Sequence, residues 1–244
     1  MDAMTDLSSA QENSSPMPSD FARAPKGGLV GFVESQLRQA LLEGRLRPGE
    51  RLVTRDLAAR LGTSPTPVRE ALLRLVAAGV IEAAPSQSFQ VPVLDAARYL
   101  ELADIRAVLE GLAAERAVAR ITAADIAMLR GINRDFQAAK RSGDVAAALV
   151  RNRAFRFALY ELAGMPALVD MIERLWLQIG PTLNFLYPQA AAPGEHSYDR
   201  ILLALENRDV AAVRAAIDSA IEDGNAILLA NMDGEAVAEM LALP

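Results

Sequence analysis

Residues Thr54–Val91 read TRDLAARLGTSPTPVREALLRLVAAGVIEAAPSQSFQV, and this stretch decides the fold of the N-terminal part of the chain. Two short amphipathic helices joined by a tight turn are predicted, the second with Ser64 as N-cap and Pro65 as its first residue. Two strand-like runs, Val80–Glu82 and Phe89–Val91, follow the second helix. This order predicts a winged helix-turn-helix, a fold that places one helix in the major groove of DNA.

The second helix of this stretch is predicted to read DNA. Ser64, Thr66 and Arg69 lie near its start and supply small or basic groups suited to bases and phosphates. Arg55 stands at the start of the preceding helix, for which Thr54 is the predicted N-cap. Helix pairs with a short turn also occur in proteins that never contact DNA. The wing and the local excess of arginine favour DNA binding here.

The composition predicts a helical protein of one large domain or two modest ones. Of the 244 residues, 52% are apolar and only 5% aromatic, which favours helices packed on helices. The absence of cysteine excludes disulfides and thiolate chemistry and fits a reducing cytoplasm. The N-terminus lacks a secretory signal, and no run of about 18 apolar residues is present. We therefore expect a cytoplasmic protein with no membrane partner.

The net charge of −6 is unusual for a DNA-binding protein, so its distribution along the chain matters. Residues 28–93 carry eight Arg against six acidic residues, while residues 94–244 carry fifteen Lys and Arg against twenty-one acidic residues. The basic excess therefore coincides with the predicted helix-turn-helix, where phosphate contacts would form.

Three regions follow from these patterns. Residues 1–27 are polar and aperiodic, which predicts a disordered tail. Residues 28–93 form the predicted winged helix-turn-helix with its small β-hairpin, and residues 94–244 read as a bundle of about six or seven helices. The fold class is therefore mainly α.

Particular letters of the sequence resemble a known family. The segments Asp56–Gly62 (DLAARLG) and Ser64–Leu75 (SPTPVREALLRL) resemble the DNA-binding head of the GntR family of bacterial transcription regulators. Residues 94–244 resemble the FCD domain of its FadR subfamily, an all-helical effector-binding and dimerisation module. The segments that carry this second resemblance are Asn152–Pro166 and Glu195–Asp209.

The resemblance implies roles for individual residues and also reveals departures. Arg55 and Arg69 correspond to DNA contacts of the family, with Ser64 and Thr66 beside them. Pro65 stands where many members carry a base-contacting Arg, and the wing loop lacks the usual basic residue and Gly. We therefore expect altered or weaker base readout.

The effector half departs further from the family. Many FCD domains hold a divalent metal with one Asp and three His, and the corresponding positions here are Asn152, Arg156, His196 and Ala220. Only His196 remains a metal-ligand type, and one imidazole does not make a stable site. The resemblance together with these substitutions predicts a degraded metal site and no cofactor.

Arg156 is the substitution with the clearest chemical consequence. A guanidinium near the former cation position is predicted to bind an effector carboxylate, with Asn152 and His196 nearby and Arg106 as a second candidate. The alternative is an internal ion pair of Arg156 with Glu110 or Glu173, because buried arginine must be paired. The sequence leaves both interpretations open.

The resemblance implies a homodimeric transcription regulator, most often a repressor, that binds double-stranded DNA at an inverted repeat. Two-fold protein symmetry imposes two-fold operator symmetry. A small acidic metabolite in the helical half is expected to control operator affinity. The alternative is a ligand-independent DNA-binding protein whose helical half serves only dimerisation. No catalytic motif is present, so an enzyme is not expected.

Overall fold

A computed structural model describes residues 28–84, 88–186 and 197–232. Three sequence predictions lie wholly or partly outside the described residues: the disordered tail before residue 28, the tip of the wing, and the effector role of His196. Within the described residues the protein is mainly α-helical with one small antiparallel sheet, so the predicted fold class is confirmed.

The N-terminal head contains three helices and a three-stranded sheet. In chain order its elements are α1 (Leu29–Leu42), β1 (Arg51–Leu52), α2 (Thr54–Leu61), α3 (Pro65–Ala77), β2 (Glu82–Ala84) and β3 (Ser88–Gln90). The strands lie in the order β1-β3-β2, and β3 pairs antiparallel with both neighbours. Helices α2 and α3 with the antiparallel pair of β2 and β3 form the predicted winged helix-turn-helix.

Several details of the head differ from the prediction. Thr54 is the first residue of α2, and the N-cap is Val53. The first strand of the hairpin is shifted to Glu82–Ala84 because Val80 and Ile81 are buried in the core after α3. The strand β1 was not predicted, since two residues are too few to show an alternating pattern.

The C-terminal body is a bundle of helices connected by short loops. Its elements are α4 (Ala96–Val118), α5 (Ala123–Ser142), α6 (Val145–Glu161), α7 (Pro166–Ile179), a 3-10 helix (Gly180–Phe185), α8 (Ser197–Glu206) and α9 (Val210–Met232). Helix α4 packs on α6, α7 and α9, and α8 packs on α5 and α9. The buried side chains of the body include several aromatic rings, among them Phe155, which stacks on Tyr198.

Local signals in the sequence set where these helices start. The side chain of Asp95 accepts a hydrogen bond from the backbone N–H of Arg98 at 2.7 Å and caps α4. Thr122 and Asp125 form a reciprocal capping box at the start of α5. Gly143 ends α5 at a φ of 71°, a conformation that glycine adopts without steric cost.

The head and body meet along α1, which packs on α7 and on the 3-10 helix. Residues 91–95 run without regular structure between β3 and α4. The division of the chain at residues 93 and 94 stays a prediction.

Candidate functional site

The start of α3 forms an exposed polar surface on the head. Gly62 ends α2 in the left-handed conformation, Ser64 is the N-cap of α3, and Pro65 is the first residue of α3. The side chains of Val68 and Leu72 are fully buried and fix which face of α3 points inward. Consequently Ser64, Thr66 and Arg69 are exposed at the start of the helix.

The hydrogen-bonding capacity of this surface is set by its prolines. Pro65 and Pro67 have no backbone N–H, so Thr66 supplies the one remaining donor among the first three residues of α3. The hydroxyl of Ser64 makes no capping hydrogen bond within the helix. Arg55 is exposed in the first turn of α2. The assignment of Arg55, Ser64, Thr66 and Arg69 to DNA contact stays a prediction.

Arg74, on the same helix, has a different environment. Its guanidinium lies 2.7 Å from Glu70 and 3.5 Å from Glu34 of α1, so it forms ion pairs within the head. Arg74, which is 52% exposed and lies near the end of α3, serves as a comparison for Arg69 near its start.

The body contains a cavity of about 240 Å³ among its helices. Helices α4, α5, α6, α7, α8 and α9 and the 3-10 helix all contribute to its wall. The polar residues of the wall include Tyr99, Arg106, Lys140, Asn152, Arg156, Tyr198, Arg200 and Asp223. The structure thus places three of the four predicted effector residues in the wall of one cavity; the fourth, His196, lies outside the described residues.

Glu110 of α4 is the hub of the polar network beside this cavity. Its carboxylate is fully buried, and Oε1 accepts hydrogen bonds from Arg106 Nε and from Trp176 Nε1, each at 2.7 Å. Oε2 accepts a hydrogen bond from the Tyr160 hydroxyl at 2.5 Å and lies 3.5 Å from Arg156 Nη1. One carboxylate therefore serves two cations and two neutral donors.

The network has an excess of positive charge. Arg106 and Arg156 are each only 5% exposed, and the single carboxylate of Glu110 lies between them. Burial raises the pKa of Glu110, but the two guanidiniums and the hydrogen bonds from Tyr160 and Trp176 together lower it more, so its pKa lies below the ordinary value. Glu110 is therefore ionised at neutral pH, and this group of three side chains carries a net charge of +1.

Aromatic rings hold the two guanidiniums in place. Arg106 lies over the ring of Trp176 with its Cζ 5.0 Å from the ring centroid, and Arg156 lies over Tyr198 at 5.5 Å. The Tyr198 hydroxyl donates to the side-chain oxygen of Asn152. Asn152, Tyr198 and Arg156 are thus fixed in one arrangement beside the cavity.

The ion-pair alternative for Arg156 is realised in part. Arg156 pairs with Glu110, whereas Glu173 lies 3.9 Å from Arg38 of the head. Since Arg156 also lines the cavity, it can pair with Glu110 and contact a ligand at the same time.

Sequence reasoning missed the neutral members of this network. Tyr160 lies four residues after Arg156, as Glu110 does after Arg106, and such spacing places both pairs on one helix face. That spacing was the available signal. Trp176 comes from α7, and no local pattern connects it to the network.

The residues at the family's metal positions do not supply a metal donor set. The Asn152 side-chain oxygen accepts from Tyr198, Arg156 is a cation, and Ala220 has no donor atom. In residues 28–84, 88–186 and 197–232, no group of three or more His, Cys, Asp or Glu side chains is placed to hold a metal ion. The absence of a cofactor stays a prediction.

Comparison with known families matches both halves of the chain. The description "Bacterial regulatory proteins, gntR family" fits residues 29–91, and the FCD domain fits residues 101–223. The chain belongs to the GntR family. The prediction of a GntR head joined to an FCD domain is thereby confirmed.

Individual relatives agree with this assignment. The HTH-type transcriptional regulator McbR of Escherichia coli is 40% identical over 201 residues, which cover 80% of this chain and 90% of McbR. The Nta operon transcriptional regulator of Aminobacter aminovorans is 36% identical over 132 residues, or 53% of this chain and 61% of that protein.

Solved structures give the same result. The structure of E. coli McbR/YncC superposes with a TM-score of 0.79 at 38% identity, covering 85% of this chain and all of that one. A putative GntR regulator from Rhodococcus sp. RHA1, at 22% identity and a TM-score of 0.68, shares the fold. This GntR-family chain is therefore a DNA-binding transcription regulator and not an enzyme. None of its described helices has the length and apolarity needed to cross a membrane.

Proposed function

We propose that this regulator binds its operator with an affinity that a small carboxylate-bearing metabolite controls from the cavity of the FCD domain. The observation that carries the proposal is the pair of buried guanidiniums, Arg106 and Arg156, which share one carboxylate and line the same cavity. The proposal extends to a cytoplasmic repressor that binds an inverted-repeat operator as a homodimer.

The hydrogen-bonding capacity of the network supports an anionic ligand. Two guanidiniums carry about ten N–H donors, whereas a carboxylate offers about four acceptor positions. Tyr160 and Trp176 already use two of these positions on Glu110. A ligand carboxylate would supply acceptors to the remaining donors and would neutralise the excess charge, which is costly to bury.

The size of the cavity sets the class of ligand. Drug-sized sites are typically about 300–1,000 Å³, and the cavity here is about 240 Å³. We therefore propose a small organic acid. Apolar wall residues such as Leu183 and Ile221 would contact its carbon skeleton.

A second candidate is a body that serves only dimerisation and binds no ligand. The observation that favours it is the saturated state of Glu110, which already pairs with Arg156. The two candidates differ in one measurable property, which is whether organic acids bind the cavity.

Binding of carboxylates to the full-length protein tests the proposal. Benzoate, succinate and citrate are the probes, chloride at equal ionic strength is the salt control, and calorimetry with thermal melting gives the affinity. We expect at least one acid to bind and Arg156→Ala to weaken it at least tenfold. Arg151→Ala, an exposed arginine on the same helix α6, should leave the affinity unchanged.

The Arg156→Ala variant is expected to fold, because Glu110 keeps its hydrogen bonds to Arg106, Trp176 and Tyr160. Equal affinity of wild type and Arg156→Ala for every acid that binds would refute the proposed site. Absence of binding by any acid would favour the purely structural body.

An exposed apolar surface supports the proposed homodimer. Ile105 and Val108 on α4 and Met171 on α7 are 42%, 59% and 56% exposed, and the two helices pack on each other. We expect Val108→Asp to raise the fraction of monomer in sedimentation, whereas Leu203→Asp on α8, also 59% exposed, should not. Identical monomer fractions in the two variants would place the interface elsewhere.

A further inference from the structure

The 3-10 helix Gly180–Phe185 touches both the cavity and the head. Leu183 and the following Leu186 belong to the wall of the cavity. From the same short segment, Asn184 donates a side-chain hydrogen bond to the backbone oxygen of Gly44 at 2.5 Å, at the end of α1. The neighbouring residues Leu183 and Asn184 therefore contact the cavity and the head, respectively.

The contact between this helix and α1 is close-packed backbone. A Cβ at Gly180 would overlap the carbonyl oxygen of Leu41. Gly44, just after α1, adopts a φ of +63°, and a Cβ there would stand 3.1 Å from Asn184 Nδ2 of the 3-10 helix. Asn184 also donates to the Pro181 oxygen at 3.0 Å, so its amide ties the two segments together. Close-packed contacts of this kind transmit a displacement rather than absorb it.

Helix α1 in turn packs along α3, the helix that is predicted to contact DNA. Val33, Leu37 and Leu41 of α1 are fully buried, and Glu34 of α1 lies 3.5 Å from Arg74 of α3. Since α1 and α3 share the core of the head, a shift of α1 relative to the body carries α3 with it.

We propose that the 3-10 helix Gly180–Phe185 transmits occupancy of the cavity to α1 and so repositions α3, an inference that rests on the proposed effector function. A ligand that displaces Leu183 or Leu186 alters the Asn184–Gly44 contact. The head then changes its orientation, provided that the ligand binds the two arrangements unequally.

The first test replaces the ligand by a side chain. A Cβ at Gly224 of α9 would lie 3.5 Å from Leu186 Cδ2, which is ordinary contact, so Gly224→Ala fits, and Gly224→Leu is chosen to crowd Leu186 with a longer side chain. Hydrogen exchange is read at the amides of Glu43 and Arg45, which donate to Gln39 and Ala40. We expect about fivefold or greater acceleration in the leucine variant only, within the usual range of couplings.

Equal exchange at these amides in folded Gly224→Leu and Gly224→Ala proteins would overturn the proposal. If the leucine variant does not fold, the same amides are compared in Asn184→Ala and in Asn207→Ala, an exposed asparagine just after α8. Acceleration in Asn184→Ala alone supports transmission through the 3-10 helix, and equal exchange overturns it.

The second test uses whichever of benzoate, succinate or citrate binds the wild type. Asn184→Ala should bind that acid with unchanged affinity, yet the acid should change its operator affinity less than twofold. An undiminished change in Asn184→Ala would contradict the inference while leaving the proposed function intact. If no acid binds the wild type, the proposed function fails, and the ligand-free exchange test alone decides on transmission.

Discussion

Replacement of Glu110 by glutamine probes the centre of the buried network. Glu110 is fully buried, and its two cationic partners are each 5% exposed, so Glu110→Gln leaves two guanidiniums without a counter-charge. The glutamine NH₂ group would also face donors of one side of the network, either the N–H groups of Trp176 and Arg106 or the hydroxyl of Tyr160 and the guanidinium of Arg156. Removing one partner of a buried ion pair costs about 3–5 kcal/mol. For a chain of this size that loss lowers the melting temperature by about 6–20 °C.

Chemical and thermal unfolding of wild type, Glu110→Gln and Glu101→Gln measures this loss. Glu101 lies on the same helix and pairs with Arg98 at 2.7 Å, but its side chain is 58% exposed, so its replacement should cost less than about 1 kcal/mol. A carboxylate that binds the cavity should stabilise Glu110→Gln more than wild type, because it restores the missing charge. Stability of Glu110→Gln within about 1 kcal/mol of wild type would refute the net charge of +1 assigned to Arg106, Arg156 and Glu110.

Three further predictions concern the head and the pH dependence. Arg69→Ala should weaken operator binding by about 1–3 kcal/mol, and Arg74→Ala, near the other end of α3, should weaken it less; equal losses in titrations would contradict the assignment. Pro65→Arg should strengthen DNA binding and steepen its dependence on salt, and an unchanged slope would contradict this. Because the folded pKa of Glu110 is lowered, its stabilisation is present above the unfolded value near 4.5 and is lost as pH falls. The stability gap between wild type and Glu110→Gln should therefore narrow in acid unfolding.

The head could be predicted from its sequence because its signals are local. Ser64, Pro65 and Gly62 mark the turn and the start of α3 within a few residues, and the structure has the helix where they place it. The predicted strand boundaries were less accurate. Val80 and Ile81 are apolar because they are buried in the core, and they do not pair in a strand. The two-residue strand β1 depends on its pairing with Gln90 and Phe89, which no local pattern encodes.

The cavity was predictable only in part. Arg106, Asn152 and Arg156 could be placed together because a resemblance supplied their neighbourhood. The contributions of Trp176 and Tyr160 depend on contacts between helices 50 or more positions apart in the chain. Such contacts arise from tertiary packing, which composition and periodicity do not specify.

The most direct test of effector control is the affinity of the full-length protein for the promoter DNA beside its own gene. Fluorescence anisotropy is measured with and without a bound carboxylate, for wild type and for Arg156→Ala. The proposed mechanism predicts salt-sensitive binding that the acid changes by about fivefold or more in wild type and not in Arg156→Ala. Operator affinity that stays the same in saturating acid would contradict control from the cavity.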